Sequence, residues 1–88
     1  YRRMYEYVLA IQDFDRAVSI DDQDGWIIAR RGEAYRQIDR CEEALADFDR
    51  AIALDPEDTW AISGRGETYR QMGRFIEAAA DLEKVGGR

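Results

Sequence analysis

The chain contains no histidine and a single cysteine, Cys41. No disulfide can form within it, and the Cys/His ligand sets of zinc sites cannot be assembled. A lone thiol points to a reducing, cytoplasmic setting rather than a disulfide-stapled secreted one. Positive charge is short as well: 13 basic residues face 19 acidic ones, for a net charge of −6. That sign is wrong for gripping a phosphate backbone or an anionic membrane. No apolar run approaches the roughly 20 residues of a membrane span. No apolar, positively flanked leader opens the chain. The chain starts at Tyr1 rather than Met and reads as a piece of a longer protein. Chemistry-bearing patterns are missing too. There is no glycine-rich phosphate loop and no nucleophile beside a base. Carboxylates such as Asp47 and Asp49 are explained by a solvated helix surface. The expectation is a protein with no catalytic residues, no metal and no cofactor.

What the chain does have is a period. Trp26 recurs as Trp60, Gly32 as Gly66, Tyr35 as Tyr69 and Ala44 as Ala78, always at an offset of 34. The run Arg31-Gly32-Glu33-Ala34-Tyr35-Arg36-Gln37 returns as Arg65-Gly66-Glu67-Thr68-Tyr69-Arg70-Gln71. Backwards, Asp13-Phe14-Asp15-Arg16-Ala17 matches Asp47-Phe48-Asp49-Arg50-Ala51 without a change. The offset divides the chain into 1–24 (a partial repeat: the end of a first helix plus a second helix), 25–58 (a complete repeat) and 59–88 (a third repeat lacking its last residues).

Each unit reads as two helices. Ile28, Gly32 and Tyr35 share one face of the first, at helical spacing. Cys41, Ala44, Leu45, Phe48, Ala51 and Ile52 make an apolar stripe along the second. Asp24 and Asp58 are placed to cap the first helices of their units. Short turns separate the helices at Ile38-Asp39-Arg40 and Met72-Gly73-Arg74, and Asp55-Pro56 marks a turn between units. One hairpin cannot bury both its stripes, but stacked hairpins bury each other's. Gly32 and Gly66 permit the close approach this needs. The predicted architecture is all-α, a quasi-linear solenoid of antiparallel helix-turn-helix hairpins.

These spacings resemble the tetratricopeptide repeat (TPR) family, in which a large apolar residue, Gly, Tyr, Ala, Phe and Pro recur over 34 residues. The second unit supplies Ile28, Arg31-Gly32, Tyr35, Ala44, Phe48 and Pro56; the third supplies Ile62, Arg65-Gly66, Tyr69, Ala78 and Leu82. The resemblance covers the whole chain and implies a fragment of a multi-repeat, bacterial-type TPR protein with a right-handed superhelix. Arg31 and Arg65 depart from the family, which has Leu there. Their stems can pack while the guanidinium groups either reach the co-repeating Asp47 and Asp81 or extend to water.

The resemblance implies that first helices line a concave, partner-binding surface. The residues falling there are Trp26, Ala29, Arg30, Glu33, Arg36 and Gln37, then Trp60, Ser63, Gly64, Glu67, Arg70 and Gln71, with Arg2 and Arg3 from the partial unit. Residues 25–38 carry three Arg against one Glu, whereas residues 39–58 carry eight acids against two Arg. A groove of Arg and Trp rimmed by acidic surface suits an extended protein or peptide segment with carboxylates and an apolar or aromatic anchor. The family's clamp for chaperone C-terminal carboxylates uses Lys, Asn and Arg. Asparagine is absent here, the single lysine is Lys84 on a second helix, and Glu33 and Glu67 put negative charge in the groove, so that clamp function is not expected of this chain. The expected function is a protein–protein interaction scaffold without nucleic-acid or membrane partners. The alternative is a structural spacer that self-assembles end to end through exposed repeat faces.

Overall fold

In the computed structural model of the chain, residues 2–86 are described, except for the side chain of Arg2. They form five α-helices: α1 (Arg2–Ile20), α2 (Gly25–Gln37), α3 (Cys41–Leu54), α4 (Thr59–Gln71) and α5 (Phe75–Gly86). No strand occurs among the described residues. Helices α2 and α3 form one antiparallel hairpin and α4 and α5 the next, while α1 packs on α2 and α3 on α4.

The helix ends follow from local chemistry. Asp24 Oδ1 accepts from the backbone N–H of Trp26 and Ile27, and Asp58 Oδ1 from those of Trp60 and Ala61. Each satisfies donors that a helix start leaves orphaned. At the far ends, Asp39 (φ 64°) and Gly73 (φ 81°) take left-handed backbone. The Arg40 N–H then reaches back to the Tyr35 carbonyl, and the Arg74 N–H to that of Tyr69, each at 2.8 Å. This six-to-one bond closes a helix and turns the chain sharply.

Residues 4–6 correct one expectation. The offset places a turn there, with Tyr1 ending a first helix. Tyr1 lies outside the described residues, but α1 runs unbroken through residues 4–6. The reason is Tyr5, which stands 34 residues before Asp39. A bulky aromatic resists the left-handed conformation that Asp tolerates and Gly adopts freely, so the helix continues instead of turning.

The core lies between the stacked hairpins. Ile28, Ala29, Ala44, Phe48, Ala51 and Ala61 form one buried cluster, with Val18, Tyr35 and Ile52 against it. Small residues dominate because backbones cross closely. A Cβ on Gly32 would lie 3.2 Å from the Asp47 Cβ and 3.3 Å from the Phe48 ring.

Charged bonds tie the stack together on the flank of that core. Arg31 donates twice to the Asp47 carboxylate at 2.8 Å and once to Asp15 at 2.9 Å. Arg65 repeats this with Asp81 and Asp49 at the same distances. Asp47 and Asp81 are buried, so each is held by a two-pronged, charge-assisted contact. These bonds raise both arginine pKa values, the hydrogen bonds to Asp47 and Asp81 contributing most. Each arginine takes one carboxylate from its own hairpin and one from the preceding unit. The alternative of guanidinium groups extended to water is not what the structure shows.

Candidate peptide-binding groove

Trp26 starts α2 and Arg30 follows one turn later on the same face. Trp60 starts α4 one period on. Stacking of the units brings the three together. The Arg30 guanidinium carbon lies 4.9 Å from the Trp26 ring centroid and 5.6 Å from that of Trp60. Contacts of this kind are worth about 0.5–1 kcal/mol at exposed sites. Trp26 remains 64% exposed and Trp60 45%, so both rings still offer apolar area to a partner. The inner edge of Trp60 is anchored on Phe48 in an edge-to-face contact, centroids 6.4 Å apart. Arg30 has no carboxylate partner among the described residues.

The other groove charges are matched. Arg36 donates to both oxygens of Glu33, at 2.9 and 2.6 Å, and to Gln71 Oε1 at 3.2 Å. Its pKa is raised, chiefly by the bond to Glu33. Gln37 also donates to Glu33, and Arg70 to Glu67. Gln71 donates back to the Arg36 carbonyl and to Asp39, joining α4 to the end of α2. Glu33 and Glu67 are therefore paired with arginines rather than standing as bare charges.

Beside this network lies a hollow of about 210 Å³ lined by Glu33, Arg36, Trp60, Ser63, Gly64 and Glu67. Gly64 occupies the position at which the preceding unit carries Arg30. Its missing side chain opens the hollow and lets the Phe48 ring slide beneath α4; a Cβ there would lie 2.5 Å from two ring carbons.

Two expected groove residues are placed elsewhere. Ala29 is 1% exposed and belongs to the core cluster. It faces inward because α2 is flanked by α1, α3 and α4 at once, which leaves a narrow outer stripe. Arg3 is exposed on α1, a helix of the second kind, and not on a first-helix face. The Arg2 side chain lies outside the described residues. Missed by the sequence reading is a second hollow, of about 280 Å³, where Tyr7, Ala10 and Phe14 meet Arg30, Glu33, Ala34 and Trp60. The available signal was that Cys41, Ala44 and Phe48 stand one period later and are covered there by α2.

No three or more metal-binding side chains cluster among the described residues, and no helix there is long and apolar enough to cross a membrane.

Comparison with known proteins agrees with this architecture. The family model described as TPR repeat matches residues 32–73, and a second, described as tetratricopeptide repeat, matches residues 63–85. A search of curated proteins returned no match. Among solved structures, the second TPR of Spaghetti (RPAP3) bound to the HSP90 peptide SRMEEVD superposes with a TM-score of 0.86 at 34% identity, covering 90% of this chain and 73% of that one. The first TPR of the same protein, bound to the same peptide, gives 0.89 at 27% identity, covering 97% and 68%. MamA of AMB-1 gives 0.87 at 26% identity, covering 93% of this chain and 48% of that one. With capped first helices, left-handed turns and small-residue crossings recurring at the same offset, and with these matches spanning nearly its whole length, the chain belongs to the tetratricopeptide repeat family.

Proposed function

We propose that this protein–protein interaction module holds an extended peptide in the groove along α2 and α4. The peptide carries carboxylates and an apolar or aromatic anchor. The observation that carries this reading is Arg30, the groove cation without a carboxylate partner among the described residues, held over Trp26 and Trp60. A guanidinium lying over aromatic rings keeps its in-plane N–H donors for a planar anion. The rings that hold it supply the contact area typical of binding hot spots. The adjacent hollow at Gly64 accepts a side chain that would meet an arginine in the preceding unit. The peptide bound by the two Spaghetti domains, SRMEEVD, pairs acidic residues with apolar ones. The present groove would meet such a ligand without the Lys and Asn of the chaperone clamp, through Arg30 and the two Trp rings. The reading has no catalytic step, and its setting is reducing and cytoplasmic, in keeping with the free thiol of Cys41.

Anisotropy of fluorescein-labelled SRMEEVD and of acidic peptides carrying one aromatic residue tests this. Arg30→Glu and Trp60→Ala each weaken binding by about tenfold or more, the loss expected for a hot-spot contact, while helical content stays constant. Equal affinity for wild type and both variants, or no saturable binding by any peptide, removes the groove from consideration.

A further inference from the structure

Beyond Trp26, toward the loops that join the units, lies a hollow of about 530 Å³. It opens where α2 begins, α3 ends and the next loop leads into α4. Trp26 and Leu54 supply its apolar side, and Gln23, Asp55 and Glu57 its polar side. A Cβ on Gly25 would lie 3.6 Å from the Leu54 side chain, so the two helix ends meet closely at the floor. Trp26 and Leu54 are both exposed large hydrophobic residues. The walls come from the complete unit and the loops on either side of it, all within the described residues.

The charge at this edge is of one sign. The loops 21–24 and 55–58 hold Asp21, Asp22, Asp24, Asp55, Glu57 and Asp58 and no basic residue. Part of that charge is already engaged. Asp24 and Asp58 cap α2 and α4, and Arg50 lies against Asp22, donating to its carbonyl at 2.9 Å. Asp55 accepts the backbone N–H of Glu57, and neither Asp55 nor Glu57 has a basic partner among the described residues. Trp26 therefore has a cation, Arg30, on one side and two carboxylates without a counter-charge on the other. Gly25, at the hollow, precedes Arg30 by five residues. At 1.5 Å per residue that is about 7.5 Å along the helix axis. An extended chain advances about 3.3 Å per residue, so two of its residues span the step, and side chains two apart point the same way.

We infer, resting on the groove proposed above, that the segment it holds carries a basic residue two positions from the acidic residue that meets Arg30. This basic side chain enters the hollow. Its stem lies along Trp26 and Leu54, and its charge sits between Asp55 and Glu57. Asp55 and Glu57 are exposed, so the incoming cation keeps part of its hydration and escapes the cost of full burial. An acidic side chain at the same place would meet two like charges. The two sides of Trp26 thus select opposite signs, and a uniformly acidic segment satisfies only one of them.

Fluorescence anisotropy on the full chain compares labelled SRMEEVD, whose arginine stands two residues from a glutamate, with the same peptide carrying glutamine in place of that arginine. The arginine peptide is expected to bind about fivefold tighter, the upper end for an exposed charge pair. On the variant Asp55→Asn/Glu57→Gln the two peptides bind alike. Both positions are exposed and asparagine keeps an oxygen for the Glu57 N–H, so the turn is spared; circular dichroism confirms the fold. Arg30→Glu weakens both peptides and leaves their ratio unchanged. If SRMEEVD binds through Arg30 but its arginine adds nothing, or adds the same on Asp55→Asn/Glu57→Gln, the basic residue is excluded while the groove stands. If neither peptide binds saturably, or neither responds to Arg30→Glu, the groove falls and the inference falls with it.

Discussion

Replacing Arg65 with leucine, the residue usual in the family, should destabilise this protein. The Asp81 side chain is 6% exposed and is held by two 2.8 Å bonds from Arg65, itself 20% exposed. Removing one partner of a buried pair costs roughly 3–5 kcal/mol, because the other charge is left uncovered. Water reaches the Arg65 end, which lowers the figure to about 2–3 kcal/mol. The bond to Asp49, 56% exposed, adds less than about 1 kcal/mol. At roughly 0.05–0.15 kcal/mol per residue, the change removes a large share of the total stability. Urea unfolding followed by far-ultraviolet circular dichroism measures it, with wild type, Arg65→Leu and Arg65→Leu/Asp81→Ala compared. The double variant should recover most of the loss, since it buries no bare charge. A single variant within about 1 kcal/mol of wild type, or a double no more stable than the single, would refute the reasoning that the buried carboxylate sets the cost.

Gly64→Ala sets overpacking against helix propensity. The new Cβ would sit 2.5 Å from the buried Phe48 ring, a clash of about 1–3 kcal/mol. Alanine returns about 1 kcal/mol of helix propensity. A net loss in thermal unfolding is expected, larger than for Gly32→Ala, where the nearest atom is 3.2 Å away; the reverse order would contradict the packing. The Cys41 thiol is pushed up first by burial and then by Asp39. Its thiolate fraction near pH 8 is therefore reduced, and alkylation should be slower than for the urea-unfolded chain and faster in Asp39→Asn. Equal rates in folded and unfolded chains would rule that out.

The sequence announced the hairpins and their stacking because the same residue types return at one offset in positions that only a helix pair uses. It also offered the Arg31–Asp47 and Arg65–Asp81 pairs, which repeat in step, but left them beside the alternative of arginines extended to water. The parts played by Asp15 and Asp49 were hidden, since each joins an arginine in the next unit. Ala29 was misplaced because a helical wheel has two sides, while α2 meets neighbours on three. The unbroken α1 was concealed by identity further along: Asp13–Ala17 copies Asp47–Ala51, but the residue that decides the turn is Tyr5. The Trp26–Arg30–Trp60 arrangement needed three dimensions, because nothing in the chain says that a side chain from one unit will lie over a ring of the next.

The ladder also bears on how such a chain grows. Each arginine is served by one acid upstream and one downstream, both 16 residues away. A segment of one full period is thus a tile whose two edges fit copies of itself. Wherever the breakpoint falls, an in-frame duplication of that length regenerates every pairing, and so does an in-frame deletion. An insertion of another length between Arg31 and Asp47 separates a buried aspartate from the arginine that holds it, whereas one between the hairpins disturbs only the exposed bond to Asp49. The buried charge therefore ties down the 16-residue spacing inside each hairpin, while the join between hairpins, bridged by an exposed bond, is the looser place in the ladder.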